Sequence, residues 1–441
     1  MMRTRYHYTV MSIVVITVFS WCICRDVQIE KGYTSDLRNR VVGARLQMDG
    51  KLPYFYYWHP ADGLRYYDPD RFDTTYTNQI TATPFFHHLL YPIANFPQRL
   101  ISRIWLAAEY VMYITLLAFA WSFAGNWRQQ WAVIVISCLF LFTGGWHMHI
   151  FDGQMYLVIP FLAMGILFFL RRCTNLLTAA VAGLLSVALL LVKPTTLVFF
   201  LPFLLAWKQY SARFLSFFFL PVILLTGYSV LNKNERSYWL DYRKAIAAHI
   251  QDHQSGDMGA RTLAFQPVLY HQWEGWDRDS IRAAKKQSIS HLRLENAGVQ
   301  QVIQKVFHRK IPYQTLEWLC VAWLVGIAGL FYWKYKNGAA IDIDVLAIFG
   351  FCLYMTVDFF SPIPRIQYYT VQWIFPLLVV AADYHRRTRM VYFLLLAGVI
   401  LNILNAPLLK MPHTAGEYLI LLTLFYMCIC NNAQSVKPTP K

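Results

Sequence analysis

Charge is scarce in this chain: only 15% of its 441 residues are Asp, Glu, Lys or Arg, against 57% hydrophobic residues. Soluble domains carry about 25% charged residues, and the apolar stretches here recur from end to end, so a water-soluble globular class is excluded. Cysteine is also sparse. The eight cysteines (Cys22, Cys24, Cys138, Cys173, Cys320, Cys352, Cys428 and Cys430) all lie in or beside apolar runs. The long polar segments have none, which excludes a disulfide-stapled domain, and the absence of CxxC or a His/Cys cluster excludes a recognisable zinc site. No internal repeat is evident, and the short polar C-terminal tail is the single low-complexity tract.

What is present is a set of apolar runs, at roughly 8–24, 101–124, 131–150, 155–170, 176–192, 195–207, 214–231, 315–333, 341–360, 366–382, 390–408 and 415–431. They predict an all-α polytopic membrane protein with about twelve transmembrane helices in one integral domain, residues 1–441. The 155–170 and 195–207 runs are short for a core that needs about 20 residues, so broken or tilted helices are expected there. The first run follows a basic start as a signal peptide would, but no small-residue cleavage site follows it, and it is read as a retained helix.

Lys and Arg resist translocation, so they mark the cytoplasmic side. With the N-terminus inside, the inner segments carry fourteen of them (Arg3, Arg5, Arg128, Arg171, Arg172, Lys208, Arg213, Lys334, Lys336, Arg386, Arg387, Arg389, Lys437 and Lys441) and the short outer loops three: Lys193, Arg365 and Lys410. Both termini are then cytoplasmic. The net charge of +16 is partly this topology signal and gives no reason to invoke nucleic acid.

The same topology puts two long polar segments, about 25–100 and 232–314, on the outer face. In the second, soluble amphipathic helices are expected around an irregular "QPVLYHQWEGWDRD" middle. In the first, a helix is expected over about 35–49, ended by Gly50 and Pro53. Leu37, Val41, Ala44 and Met48 would form its apolar stripe, with Asp36, Arg40, Gly43 and Gln47 on the flank. Lying on the membrane, it would hold the Asp36 carboxylate at the outer boundary. An Asp in a first turn also simply complements the helix dipole; here it has polar company in "FDGQ" (151–154), "VKPTT" (192–196) and "SPIPRIQYY" (361–369). Lys193 reads either as an interfacial anchor or as a cation for a lipid phosphate. Arg365 has the same two readings, and its fork suits bidentate phosphate contact. Asp152 is either a loop residue or a second site carboxylate. Gln154 and Tyr368–Tyr369 are suited to sugar hydroxyls, while His147 and His149 lack further metal ligands and suit interfacial hydrogen bonding.

An Asp soon after the first span, "GARLQMDGKLPY" (Gly43 to Tyr54), "TPFFHHLLYPIANFP" (83–97), "GQMYL" (Gly153 to Leu157) and "KPTTLVFFLPFLL" (Lys193 to Leu205) occur in that order. In this the chain resembles the C-type (GT-C) membrane glycosyltransferases, and within them family 87, the polyprenyl-phosphate-mannose-dependent alpha-mannosyltransferases. The likeness covers most of residues 30–205. It implies Asp36 as catalytic base, a polyprenyl-phosphate sugar as donor, mannose as the sugar, and a lipid-linked or glycan acceptor. The site would face outward from a cell membrane, that of a bacterial inner membrane, with membrane lipids around it. It implies no cofactor and no metal, since a lipid-phosphate donor already has a leaving group; "DPD" at 68–70, the nearest approach to a DxD motif, is read as a turn. Substrate contacts would then come from Lys193, Arg365, Gln154, Asp152, Gln367, Tyr368, Tyr54 and Arg40. Where the family tends to show a His before tyrosine, this chain has Gln367, which puts that role in doubt and leaves part of it to Arg365.

Two other readings compete. A transporter or lipid flippase would use intramembrane acids such as Glu109 and Asp358, although the unequal outer loops and lack of repeat argue against it. A polyprenyl-linked glycan ligase or polymerase would rest on Arg-rich outer loops rather than on a first-loop Asp.

Overall fold

A computed structural model describes residues 2–31, 34–68, 80–172, 176–205, 220, 223–228, 231–254, 272–277, 279–280, 283, 297–336, 341–383, 388–404 and 411–430. The span expected over 214–231 falls mostly outside them, as do Cys173, Lys208, Arg213, Arg386, Arg387, Lys410, the DPD turn past Asp68, most of the stretch 279–296 and the C-terminal tail.

The described chain is helical but for one small hairpin. Its first half comprises α1 (Met2–Glu30), α2 (Ser35–Met48), α3 (Pro84–Ala94), α4 (Gln98–Phe123), α5 (Trp127–Phe140), α6 (Gly144–Asp152), α7 (Val158–Arg171), α8 (Leu176–Val192) and α9 (Leu201–Leu205). The second half adds α10 (Lys233–Gln254), the strands β1 (Gln272–Trp273) and β2 (Trp276–Asp277), α11 (Val299–Phe307), α12 (Tyr313–Tyr335), α13 (Ile343–Phe359), α14 (Ile374–Ala382), α15 (Arg389–Ile403) and α16 (Pro412–Ile429). Among the described residues three helices are long and apolar enough to cross a membrane, α1, α4 and α12, or four spans if α5 and α6, bent by 57° at their junction, count as one. The other apolar runs among the described residues are also helical but shorter than a full span, several of them interrupted. Pro194–Phe200 and Gln367–Trp373, for example, are 3₁₀ segments that lead into α9 and α14.

The helix expected over 35–49 is present as α2, but it does not lie on a surface. Every residue from Leu37 to Gln47 is buried, the charged ones included. The reason lies in the partners of its arginines. Arg38 donates to the Tyr67 and Leu64 carbonyls and, at 2.9 Å, to the Glu274 carboxylate. Arg45, two helical turns on and on the same side, donates to the Ala94 and Phe96 carbonyls and to Glu274 at 2.6 Å.

Glu274 is the tip of the β1–β2 hairpin, in the stretch expected to be irregular. Strand register pairs Gln272 with Asp277 and Trp273 with Trp276, which leaves Glu274 and Gly275 as a two-residue turn with φ of 46° and 82°. A turn of this class needs positive φ at both central residues. Glycine supplies the second freely, whereas Glu at the first is strained and is held there by its ion pairs and by the Gln98 backbone N–H at 3.0 Å. The second polar segment is thereby bolted to the first.

On the other face of α2, His87 of α3 donates from Nδ1 to Gln47 Oε1 at 3.0 Å. A methyl group at Gly43 would come within 2.5 Å of His87 Nε2, so this closeness requires glycine. Burial pushes the His87 imidazole down to about 3, which keeps it neutral.

Two outcomes follow. Glu274→Gln leaves two buried guanidinium groups facing a neutral amide, which costs about 3–5 kcal/mol; the melting temperature of the detergent-solubilised chain should fall by several degrees, while Glu274→Asp should recover part of it. For His87, the unfolded chain takes up a proton near pH 6.5 and the folded chain only near 3. Its contribution to stability is therefore complete above about pH 6.5 and is lost as pH falls from there toward 3, by about 1.4 kcal/mol per unit. Thermal unfolding at pH 7.5 and pH 5 should show this difference, and His87→Asn should reduce it.

Candidate active site

Asp36 stands in the first turn of α2, half-buried. The link between α6 and α7 reaches it there. Gly153 in that link has φ of 63°, and a methyl group on it would lie 2.7 Å from Thr34 Cβ and 2.8 Å from Leu37 Cβ. Only glycine can adopt this backbone and come so close. The next residue, Gln154, is fully buried; its Nε2 donates to Asp36 Oδ2. Arg40, one turn along α2, donates to Gln154 Oε1 at 2.7 Å and to the Gly153 carbonyl at 3.0 Å. The amide thus has its oxygen fixed by a guanidinium, so its NH₂ is aimed at the carboxylate. That chain of bonds holds Asp36 oriented while leaving part of it exposed.

Asp36 and Arg40 line a cavity of about 1090 Å³ that also takes in Lys193, Asp358, Arg365, Tyr156, Tyr368 and Tyr369. Lys193, at the break between α8 and the 3₁₀ segment, places its ammonium 2.8 and 3.0 Å from the two oxygens of Asp358 on α13. The rings of Tyr156, Tyr354 and Tyr369 stand 5.0–5.4 Å from it. Asp358 accepts in turn from Gln372 Nε2 at 3.4 Å, and the Tyr354 hydroxyl, 3.2 Å from Asp358, donates to Gln372 Oε1 at 2.5 Å. An ammonium has three donors, and among the described residues two of its contacts go to Asp358.

Arg365 is 1% exposed and donates to Glu417 on α16 at 2.6 Å. Glu417 also accepts from the Thr370 hydroxyl and, at 3.3 Å, from Trp373 Nε1. The guanidinium lies over the rings of Phe359 and Tyr369, at 4.6 and 5.1 Å. Tyr368 stacks on Tyr156 at 5.5 Å with an interplanar angle of 11°.

Seven of the residues singled out in the sequence, Asp36, Arg40, Lys193, Asp358, Arg365, Tyr368 and Tyr369, therefore share one cavity, and Gln154 stands behind Asp36. Three do not line it. Tyr54 is 2% exposed and donates to the Ala82 carbonyl at 3.0 Å, so it fastens the first polar segment to the start of α3. Gln367 packs against the N-terminus of α6, where a methyl at Gly144 would meet its Nε2 at 2.6 Å. Asp152 ends α6. Of the acids weighed for transport, Glu109 pairs with His149 at 2.6 Å, both at most 1% exposed; it is not among the cavity-lining residues. His149 thus has a buried carboxylate partner where interfacial bonding was expected.

Sequence reasoning passed over Tyr156, which sits inside the quoted "GQMYL", and Glu417, a carboxylate in an apolar run. The second carried a usable signal, because an acid in a membrane helix ordinarily has a partner. It also passed over the wall that α10 contributes through Tyr242, Arg243, Ile246 and His249. Among the described residues no group of three or more His, Cys, Asp or Glu is placed to hold a metal ion.

No curated protein and no solved structure matches the chain. The sequence profile of glycosyltransferase family 87 matches residues 81–356. That span holds Gln154, Lys193 and the wall of α10, and leaves the Asp36 helix and the Arg365 segment outside it. Since it covers well over half of the chain, this membrane protein belongs to glycosyltransferase family 87.

Proposed function

We propose that the chain transfers a sugar, mannose by family likeness, from a polyprenyl-phosphate donor to a hydroxyl of a lipid-linked or glycan acceptor at the outer face of the membrane, with Asp36 as general base. The observation that carries this reading is the shared cavity. A half-buried carboxylate, Asp36, lines the same cavity as two cations, Lys193 and Arg365, and the lining also includes apolar residues of α12 and its neighbours, among them Trp318, Val321, Leu324 and Val192. A lipid chain suits the apolar end, a phosphate the cations and a sugar the space between.

The chemistry follows from that order. The donor's phosphate is already a good leaving group, so the enzyme has to take a proton from the acceptor hydroxyl, hold both substrates in line and offset the negative charge that develops as the phosphate departs. Asp36 takes the proton as the acceptor oxygen forms its bond to the anomeric carbon and the bond to the phosphate oxygen breaks. Direct displacement of this kind inverts the anomeric centre. Gln154, itself held by Arg40, keeps one Asp36 oxygen occupied and so aims the other at the acceptor. Lys193, with Asp358 as its counter-ion, and Arg365, beside Glu417, both place positive charge in the cavity where the phosphate departs.

Asp36→Asn preserves shape and removes the base, so transfer from a polyprenyl-phosphate sugar in vesicles should fall by roughly a hundredfold to ten-thousandfold at unchanged expression. Near-normal transfer by this variant would remove Asp36 from its role. Lys193→Ala and Arg365→Ala should each raise the donor KM by roughly tenfold or more, the worth of one charge-assisted hydrogen bond, and change the acceptor KM far less. Arg365→Lys, which keeps Glu417 neutralised, separates lost phosphate contact from lost folding. Equal effects on both substrates would count against the phosphate assignment.

A further inference from the structure

A second, separate concavity lies at the other end of the bundle. α14 starts beside the cavity, directly after the segment that carries Tyr368 and Tyr369, and its far end, through Leu377, Val380 and Ala381, floors a groove of about 410 Å³ between α5 and α15. The walls are Trp131, Val135, Ile136, Leu395 and Leu396, with Trp127, Arg128 and Tyr392 completing the lining. This groove is apolar along its length. The charge lies where its two wall helices begin.

α5 and α15 both open with an arginine in the first turn, Arg128 and Arg389, and neither has an acid there. That runs against the dipole of both helices, whose N-terminal ends favour negative groups. Both arginines are exposed, and among the described residues neither is within ion-pair distance of a carboxylate. Arg128 lies over the Trp127 ring at 5.3 Å, and Trp127 stacks on His7 of α1 at 4.8 Å with an interplanar angle of 10°. Trp127, Trp131 and Tyr392 are the amphipathic aromatics that settle at the headgroup level of a bilayer. A retention signal for the cytoplasmic side explains why arginines are present on these connections. It does not explain an apolar groove that Arg128 itself lines and that is lined as well by Tyr392, one helical turn after Arg389.

We propose that this groove binds an anionic phospholipid, with an acyl chain on Trp131, Ile136, Leu377 and Leu395 and the headgroup phosphate held by Arg128 and Arg389. The phosphate supplies the negative charge that both helix starts lack. The site needs only that the bundle lies in a membrane, and it is independent of the transfer chemistry assigned to the cavity.

The test is lipid retention by the purified full-length chain, taken from mixed micelles holding equal phosphatidylglycerol and phosphatidylcholine and read by native mass spectrometry. The wild type should retain phosphatidylglycerol preferentially. Each arginine near a lipid surface is worth about fivefold, so Arg128→Gln with Arg389→Gln should lower that preference by more than tenfold, and the double Lys variant should keep most of it. Ala132→Phe, at a position lining the groove, keeps both charges and fills the space; it should release the lipid and remains informative if the double Gln variant does not fold. Equal retention of both lipids by the wild type, or an unchanged preference in the Gln and Phe variants, would overturn the proposal. Displacement of phosphatidylglycerol by polyprenyl phosphate at lower concentration than by more phosphatidylglycerol would overturn it too, making the groove a second donor-lipid site.

Discussion

The placement of α2 and its Asp36 depends on one carboxylate set between two buried guanidinium groups. Arg38 and Arg45 could not be buried on α2 without a counter-charge, because an unpaired ion in a low-dielectric interior costs several kcal/mol. Glu274 supplies it from a hairpin 236 and 229 residues further along the chain. The remaining guanidinium donors go to loop carbonyls, so the pair also satisfies backbone groups that the first polar segment would otherwise bury unbonded. With both arginines fixed, α2 cannot turn about its axis. Leu37 and Gly153 then meet closely, and Asp36 is left at the rim of the cavity. A carboxylate proposed as a general base is useful only in a fixed direction, and this clamp fixes α2 from outside the cavity.

The electrostatics of the cavity repeat the same rule. Lys193 faces Asp358 and Arg365 faces Glu417, so each buried cation is neutralised before any substrate enters. Two uncompensated cations at this depth would repel each other and draw water into the bundle. Under the proposed reaction a phosphate would join each pair as a third member, and its affinity would depend on the geometry of the pair and not on bare charge. The aromatic rings around Lys193 limit where that ammonium can swing and so fix the position of its charge.

Much of this was legible in the sequence, and what was not shares one property. The apolar runs that fall on described residues are helices, α2 begins and ends where its Ser-Asp start and Gly50 put it, and Asp36, Arg40, Lys193, Arg365 and Tyr368 do meet. Those signals are local: periodicity, caps and polar residues interrupting apolar runs. The burial of α2 was misread because Arg38 and Arg45 look like a solvated face until their partner is known, and the partner lies in another segment. Pairs such as Lys193 with Asp358, 165 residues apart, leave no periodic trace. The Glu-Gly turn was in principle readable, since a two-residue link ending in Gly between two tryptophans is a hairpin pattern, but its Glu is an uncommon choice at the first position. Gln367 and Tyr54 were placed in the site on motif neighbourhood alone, and each turns out to be packed against a different neighbour.

The short and broken helices are then a consequence of the site. α1 and α4 run unbroken, and so do α2, α10, α12 and α13 where they line the cavity, whereas three other elements at or behind it are interrupted: α6 ends at Gly153 before Gln154, α8 stops at Lys193 and passes into a 3₁₀ segment, and a second 3₁₀ segment carries Tyr368 and Tyr369 into α14. A continuous helix directs its side chains outward from one axis and satisfies every backbone group itself. Bringing a lysine, a glutamine and two tyrosines to face a carboxylate on a separate helix requires chain ends, and chain ends expose backbone N–H and C=O groups that hydrocarbon cannot satisfy. Such ends are tolerated in a membrane bundle where they line a polar cavity or are buried in protein. The breaks at Gly153, Lys193 and before α14 therefore serve the same requirement that places Asp36: polar groups from distant segments have to converge on one volume of space, and chain ends add to what the continuous helices α2 and α13 bring there.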